Sequence, residues 1–182
     1  MSKIHIITHA RLNRATRKVA GELKRHRLWT NRLRNLPVVL VPVGFAHGWI
    51  WVGGTGEICI PRVSLLKMRD FFMGNYTSLA DVLRHEFAHA IADCHRGLFR
   101  SRGFSTAYGS AYESKISSEY DPKIHISCYA ATSPSEDFAE NLMHFIRHRG
   151  NLPPKHSTPA IRRKWRFINA LRREIESGRA CW

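Results

Sequence analysis

The clearest chemical signal in this 182-residue sequence is the run His85-Glu86-Phe87-Ala88-His89, an HExxH motif. If the segment is helical, each residue turns by about 100°, so His85 and His89 lie one turn apart on the same face. Two imidazoles in that position can bind one zinc ion at Zn–N distances of about 2.0–2.1 Å. Glu86 projects to the side, where it can take a proton from water next to the metal. The motif therefore predicts a hydrolytic zinc site with Glu86 as general base.

A zinc site of this kind needs a third protein ligand, and two residues are candidates. Glu136 and Glu140 share one face of a second predicted helix. One carboxylate can bind zinc while the other accepts a hydrogen bond from a ligand imidazole and fixes its tautomer. Glu136 also completes a capping box with Ser133, which is an alternative role for it.

His95 is the other candidate, because it completes an HExxH-x5-H spacing typical of metzincins. That family has glycine where this chain has Ala92, and the glycine lets the chain turn back towards the metal. A helix that continues through Ala92 would point His95 about 80–100° away from the metal face. The sequence leaves the choice between Glu136 and His95 open.

The two motifs together resemble the catalytic domain of anthrax lethal factor and its relatives, which are gluzincin zinc metallopeptidases. The resemblance rests on HEFAH and on the later run Tyr129-x6-Glu136-x-Phe138-Ala139-Glu140, and it covers roughly half of the chain. It implies a zincin-like fold of the α+β class, one Zn²⁺ per chain, and a protein or peptide substrate. It also implies residue roles. His85, His89 and Glu136 would bind zinc, Glu86 would be the general base, and Tyr129 would stabilise the oxyanion or assist the leaving amine. Glu140 would accept a hydrogen bond from a ligand imidazole.

Hydrophobic periodicity and the positions of glycine and proline predict the helices and strands that must position these residues. We predict one domain over residues 1–182. It begins with a basic helix over 10–35 and continues with a small, mostly antiparallel sheet over 38–61. An active-site helix follows over 79–95, and a C-terminal helical part spans 134–177.

Three further segments complete this prediction. The strands of the sheet are expected near 38–43, 49–52 and 57–60. The run GEICIP (56–61) is the candidate edge strand for an extended substrate, although any of the three strands could take that place. The apolar run 63–72 predicts another helix. Residues 97–123 show no clear period and predict a long loop.

The charge is concentrated at the two ends of the chain. The net charge is +15, with +9 in residues 1–49, −2 in 50–145 and +8 in 146–182. Basic termini of this kind can bind nucleic acid, an acidic protein or an anionic membrane. They support a second hypothesis, in which the protein binds nucleic acid or another partner and its zinc site is structural or inactive.

Composition and cysteine spacing exclude several classes of protein. A hydrophobic content of 43% excludes a wholly disordered chain. No apolar run approaches the roughly 18 residues of a transmembrane helix. The four cysteines show no CxxC spacing, which favours reduced thiols. The apolar stretch 4–7 is too short for a secretory leader, so we expect a cytoplasmic protein or one exported without a classical signal peptide.

Overall fold

The computed structural model describes residues 6–45, 48–52, 55–63 and 78–178, and these form a mixed α/β structure. The strands are β1 (Val38–Val41), β2 (Gly48–Val52) and β3 (Thr55–Pro61). The α-helices are α1 (His9–Arg25), α2 (Asn31–Arg34), α3 (Leu79–Cys94), α4 (Arg96–Phe99), α5 (Arg102–Tyr108), α6 (Pro134–Arg147) and α7 (Pro159–Glu176). Beyond its first residue, the helix predicted over 63–72 lies outside the described residues. Within the described ranges, no helix has the length and apolar character needed to cross a membrane.

The sheet has the order β1-β3-β2. The prediction of a mostly antiparallel sheet is wrong. β1 runs parallel to β3, whereas β2 runs antiparallel to it. The prediction that GEICIP forms an edge is also wrong, because β3 pairs on both sides. The residues at its centre, Ile58, Cys59 and Ile60, are 0%, 4% and 0% exposed. Burial of consecutive residues on both faces is typical of a central strand.

The predicted basic helix over 10–35 is interrupted after Arg25. Arg27 adopts a left-handed conformation (φ 58°), and its N–H donates to the carbonyl of Lys24. The N–H of Leu28 donates to the carbonyl of Leu23 at 2.9 Å. This pattern of bonds is a Schellman motif, which ends a helix without a glycine here. The break turns the fully buried Leu28 into the core.

The predicted loop over 97–123 contains two short helices, α4 and α5. Phe99 and Phe104 are buried, and their rings lie 5.6 Å apart. Both rings also contact Phe138 of α6 and Phe167 of α7. An aromatic cluster therefore fixes the first half of this segment against the C-terminal helices.

Helices α3 and α6 begin at serine caps and pack against one another in the core. The Ser78 hydroxyl accepts a hydrogen bond from the N–H of Asp81, and the Ser133 hydroxyl accepts one from the N–H of Glu136. These caps satisfy backbone donors that a helix leaves free in its first turn. The observed bounds of α6 and α7 agree with the predicted helical part over 134–177.

A buried ion cluster joins α1 to α3. The Arg84 guanidinium makes two hydrogen bonds of 2.8 Å to the Glu22 carboxylate, and a third to Asp81 one turn earlier. The three side chains are at most 10% exposed. Removing one partner from such a cluster leaves the others buried and unpaired, which is costly.

We expect Arg84→Ala to lower the free energy of unfolding by about 3 kcal/mol, because it leaves two buried carboxylates without their main partner. Urea denaturation measures the change. Arg96→Ala is the matched control, since Arg96 also pairs with an aspartate three residues earlier but is 48% exposed. Its expected cost is about 0–1 kcal/mol. Equal losses in the two variants would contradict this account.

Candidate metal centre

Three elements bring the predicted site residues to one cavity. His85, Glu86 and His89 come from α3, Glu136 from the first turn of α6, and Tyr129 from the 3-10 turn Tyr129–Ala131. The cavity has a volume of about 290 Å³, and Trp49, Tyr112 and Ser135 complete its lining. Glu140 lies behind this lining and is fully buried.

The donor atoms of His85, His89 and Glu136 converge on one point. The distance between the two Nε2 atoms is 3.2 Å. Glu136 Oε2 lies 2.9 Å from Nε2 of His85 and 3.3 Å from Nε2 of His89. Donors held about 2.0–2.1 Å from a tetrahedral ion lie about 3.3–3.4 Å from one another. Within the described residues this is the group that could hold a metal ion.

The protonation of His85 supports the same interpretation. Glu140 Oε1 lies 3.0 Å from His85 Nδ1. A carboxylate only accepts hydrogen bonds, so Nδ1 carries the proton and Nε2 directs a lone pair at Glu136. Two acceptors 2.9 Å apart repel one another unless a positive charge lies between them. A metal ion supplies that charge, and so does a proton when no metal is bound.

The direction of the pKa shifts follows from this geometry. Burial opposes a charge on His85, but hydrogen bonds to Glu136 and Glu140 outweigh it and raise the pKa of His85 to about 10. Burial would raise the pKa of Glu136, yet hydrogen bonds from the two imidazoles hold that pKa well below its usual range. The site therefore favours a cation bound against an ionised Glu136.

Both imidazoles are oriented by side chains other than the three donors. Glu140, which fixes His85, accepts a second hydrogen bond of 2.6 Å from the Ser127 hydroxyl. The Tyr112 hydroxyl lies 3.0 Å from Nδ1 of His89. Such partners fix the ring orientation and increase the basicity of the ligand nitrogen.

Glu86 is held next to the donors without joining them. It is 3% exposed, and the backbone N–H of Trp49 donates to its Oε2 at 2.6 Å. Burial raises the pKa of Glu86, while the charges of His85 and His89 act in the opposite direction. A carboxylate in this environment can accept a proton and release it again.

Gly48 makes this position of Glu86 possible. Its φ is +64°, and a Cβ built there would lie 2.5 Å from Glu86 Oε2 and 2.8 Å from the carboxyl carbon. Only glycine adopts this conformation at little cost and leaves the space that the carboxylate fills.

Tyr129 lies over the imidazole of His85, with the ring centroids 5.6 Å apart. Burial raises the pKa of Tyr129, and the carboxylates of Glu136 and Glu86 raise it further. The hydroxyl therefore stays protonated and remains a hydrogen-bond donor at neutral pH.

His95 is not brought to the cavity, so the structure favours Glu136 as the third donor. α3 continues through Ala92 to Cys94, and His95 follows as its buried C-cap residue. It lines a different cavity together with Trp29 and Ile175. Because the helix does not turn back, the HExxH-x5-H spacing cannot bring this imidazole to the other two.

Sequence reasoning missed the supporting residues Trp49, Gly48, Tyr112 and Ser127. Tyr112 and Ser127 lie in irregular segments without periodicity, and no local pattern marks them. The contact of Trp49 with Glu86 joins residues 37 positions apart. Pairing of a strand residue with a helix side chain depends on tertiary packing, which periodicity does not report.

Comparison of the chain with models of protein families, with curated proteins and with solved structures gave no match.

We expect Glu136→Ala to weaken Zn²⁺ binding by a factor of about 10²–10⁴, because it removes a charged donor. His95→Ala is the control and should change the affinity by about twofold at most, since His95 lies outside the site. Competition with a chromophoric chelator measures both affinities. A large loss confined to His95→Ala would contradict the assignment of Glu136.

We expect Gly48→Ala to lower the free energy of unfolding by about 1–3 kcal/mol, through strain at positive φ and contact with Glu86. Gly44→Ala is the matched control, because a Cβ there meets nothing within 4 Å. Thermal and urea unfolding measure the two changes. If both variants lose the same stability, the close approach of Gly48 to Glu86 has no energetic role.

Proposed function

We propose that this protein is a zinc-dependent metalloendopeptidase that hydrolyses peptide bonds, built as one domain on a zincin-like α+β fold. The observation that carries the proposal is the convergence of His85, His89 and Glu136 at 2.9–3.3 Å, with the Glu86 carboxylate beside them. The first two donors come from one helix and the third from another, as in the gluzincin arrangement that the sequence resembles.

In the proposed reaction, the metal site and Glu86 have different roles. A zinc ion at this site would act as a Lewis acid that lowers the pKa of water and polarises a carbonyl group. Glu86 accepts one proton from the attacking water as its oxygen bonds to the scissile carbonyl carbon. Glu86 then donates that proton to the amide nitrogen as the C–N bond breaks, which releases a carboxylic acid and an amine.

Tyr129 would stabilise the charge that develops during the attack. Its protonated hydroxyl can donate a hydrogen bond to the carbonyl oxygen as that oxygen becomes negative. A single donor of this type is worth about 3–4 kcal/mol in other acyl-transfer sites.

The edge of the sheet offers a place for an extended peptide. The N–H of Trp49 points to Glu86, away from β3, so the outer edge of β2 borders the site. In a strand, alternate residues direct their backbone groups to the same side, and those of Trp51 therefore face the same edge. A substrate strand can pair there by β-augmentation, as predicted for GEICIP but through β2 instead.

A neighbouring cavity can accept a side chain of that substrate. It has a volume of about 640 Å³, and its lining includes Leu36, Pro37, Trp49 and Trp51. These apolar surfaces favour a large hydrophobic residue close to the cleaved bond.

The test is a pair of measurements on the purified protein. We expect one zinc per chain and cleavage of a mixed peptide library. Glu86→Gln should keep the zinc and lower kcat by about 10²–10⁴-fold, because the amide accepts no proton. Glu113→Gln removes an exposed carboxylate that pairs with Arg100, and its activity should be unchanged. Full activity in Glu86→Gln, or cleavage without a metal, would refute the proposal.

A further inference from the structure

A further cavity lies on another side of α3, between α1 and the end of α6. Its volume is about 580 Å³. Arg84 lines this cavity, whereas the next residue, His85, lines the candidate metal centre. Segments more than 120 positions apart in the sequence therefore meet at one concave surface. The charged residues of its lining are Arg17, Lys18, Glu22, Arg25, Asp81, Arg84, Arg147 and Arg149.

The cavity has a large excess of positive charge. Six of its lining residues are Arg or Lys, and two are acidic. Both acids, Glu22 and Asp81, are bound to the buried Arg84. Asp81 has one further cation nearby, Arg147, whose Nη1 lies 3.9 Å away. Within the part of the chain that the structure describes, no ion pair engages the remaining four cations, Arg17, Lys18, Arg25 and Arg149.

Two histidines near the cavity have lowered pKa values, and nearby cations contribute to both shifts. Burial lowers the pKa of His26, and the charges of Arg172 and Arg25 lower it further. Burial also lowers the pKa of His148, where Arg147 and Lys155 add to the effect. Arg25 and Arg147 line the cavity, so both shifts agree with its excess of positive charge, although Glu22 and Asp81 act in the opposite direction.

A glycine in the middle of α1 leaves open space in the same cavity. Gly21 lies one turn from Arg17 and one turn from Arg25, and it lines the cavity. A Cβ at this position would meet nothing within 4 Å. Glycine in a helix interior costs about 1 kcal/mol relative to alanine. Packing within the protein does not require a glycine here, and the open space leaves room for a ligand close to the helix.

We infer that this cavity binds a compact anion with several phosphate groups. Arginine side chains bind phosphate through paired, charge-assisted hydrogen bonds, and the unpaired arginines are available for them. The volume falls in the range of about 300–1,000 Å³ found for small-molecule sites. The cations surround a concavity from two helices and a following turn, which suits a compact ligand better than a long nucleic-acid backbone. The inference does not depend on the proposed peptidase activity.

Inositol hexakisphosphate and inorganic tripolyphosphate are the probes, measured by isothermal titration calorimetry in about 0.15 M NaCl, where the Debye length is about 8 Å. We expect saturable 1:1 binding. The variant Lys18→Gln/Arg25→Gln/Arg147→Gln should weaken it by about tenfold or more. The control Arg11→Gln/Arg102→Gln/Arg163→Gln removes the same charge from exposed positions outside the cavity and should change it by about twofold at most. Both variants keep the metal-binding residues, so any exchange of metal with the probe affects them equally.

Gly21→Leu separates binding in the cavity from general attraction to a basic surface. It keeps every charge and fills the open space, so we expect about fivefold weaker binding with unchanged or higher thermal stability. The inference is overturned if neither probe binds saturably, if both triple variants lose equal affinity, or if Gly21→Leu has no effect. If a short DNA duplex binds more tightly than either probe, and both triple variants lose equal affinity for the duplex, the surface is instead an extended nucleic-acid surface.

Discussion

The convergence of three hydrogen-bond acceptors on one point is the constraint on which the site depends. Two imidazole lone pairs and a carboxylate oxygen lie 2.9–3.3 Å apart, and such groups repel unless a cation joins them. Packing of α3 against α6 holds the donors in place whether or not a cation is present. A proton on His85 relieves this repulsion when no metal is bound, so a metal ion would have to displace that proton.

The surrounding elements keep that arrangement rigid. Glu140 belongs to α6 and binds an imidazole of α3, so the contact that fixes the tautomer also joins the two helices. The buried Arg84 cluster joins the other side of α3 to α1. α3 is thus held by polar contacts on two sides, while Leu83 and Phe87 anchor it in the apolar core.

Local sequence patterns predicted the parts of the fold that depend on neighbouring residues. The serine caps and apolar periodicity placed α3, α6 and α7. The HExxH motif supplied two donors of the site and left Glu136 and His95 as alternatives for the third. The break at Arg27 was missed because an arginine, not a glycine, adopts the left-handed conformation. The position of β3 at the centre of the sheet was missed because strand order depends on pairing between distant segments. The contacts of Tyr112 and Ser127 have no local signal at all.

Trp49 lies between two cavities and determines which of them can change shape. Its backbone binds Glu86, its indole N–H donates to Asp93 at 2.6 Å, and its ring lies across Gly56. Anchored at these points, the side chain is a fixed partition between the 290 Å³ and 640 Å³ compartments. Replacements at Leu36 or Trp51 can therefore reshape the larger compartment while the proton acceptor stays where it is. In the proposed peptidase, recognition of a substrate side chain and proton transfer would then depend on different residues, so one could change without the other.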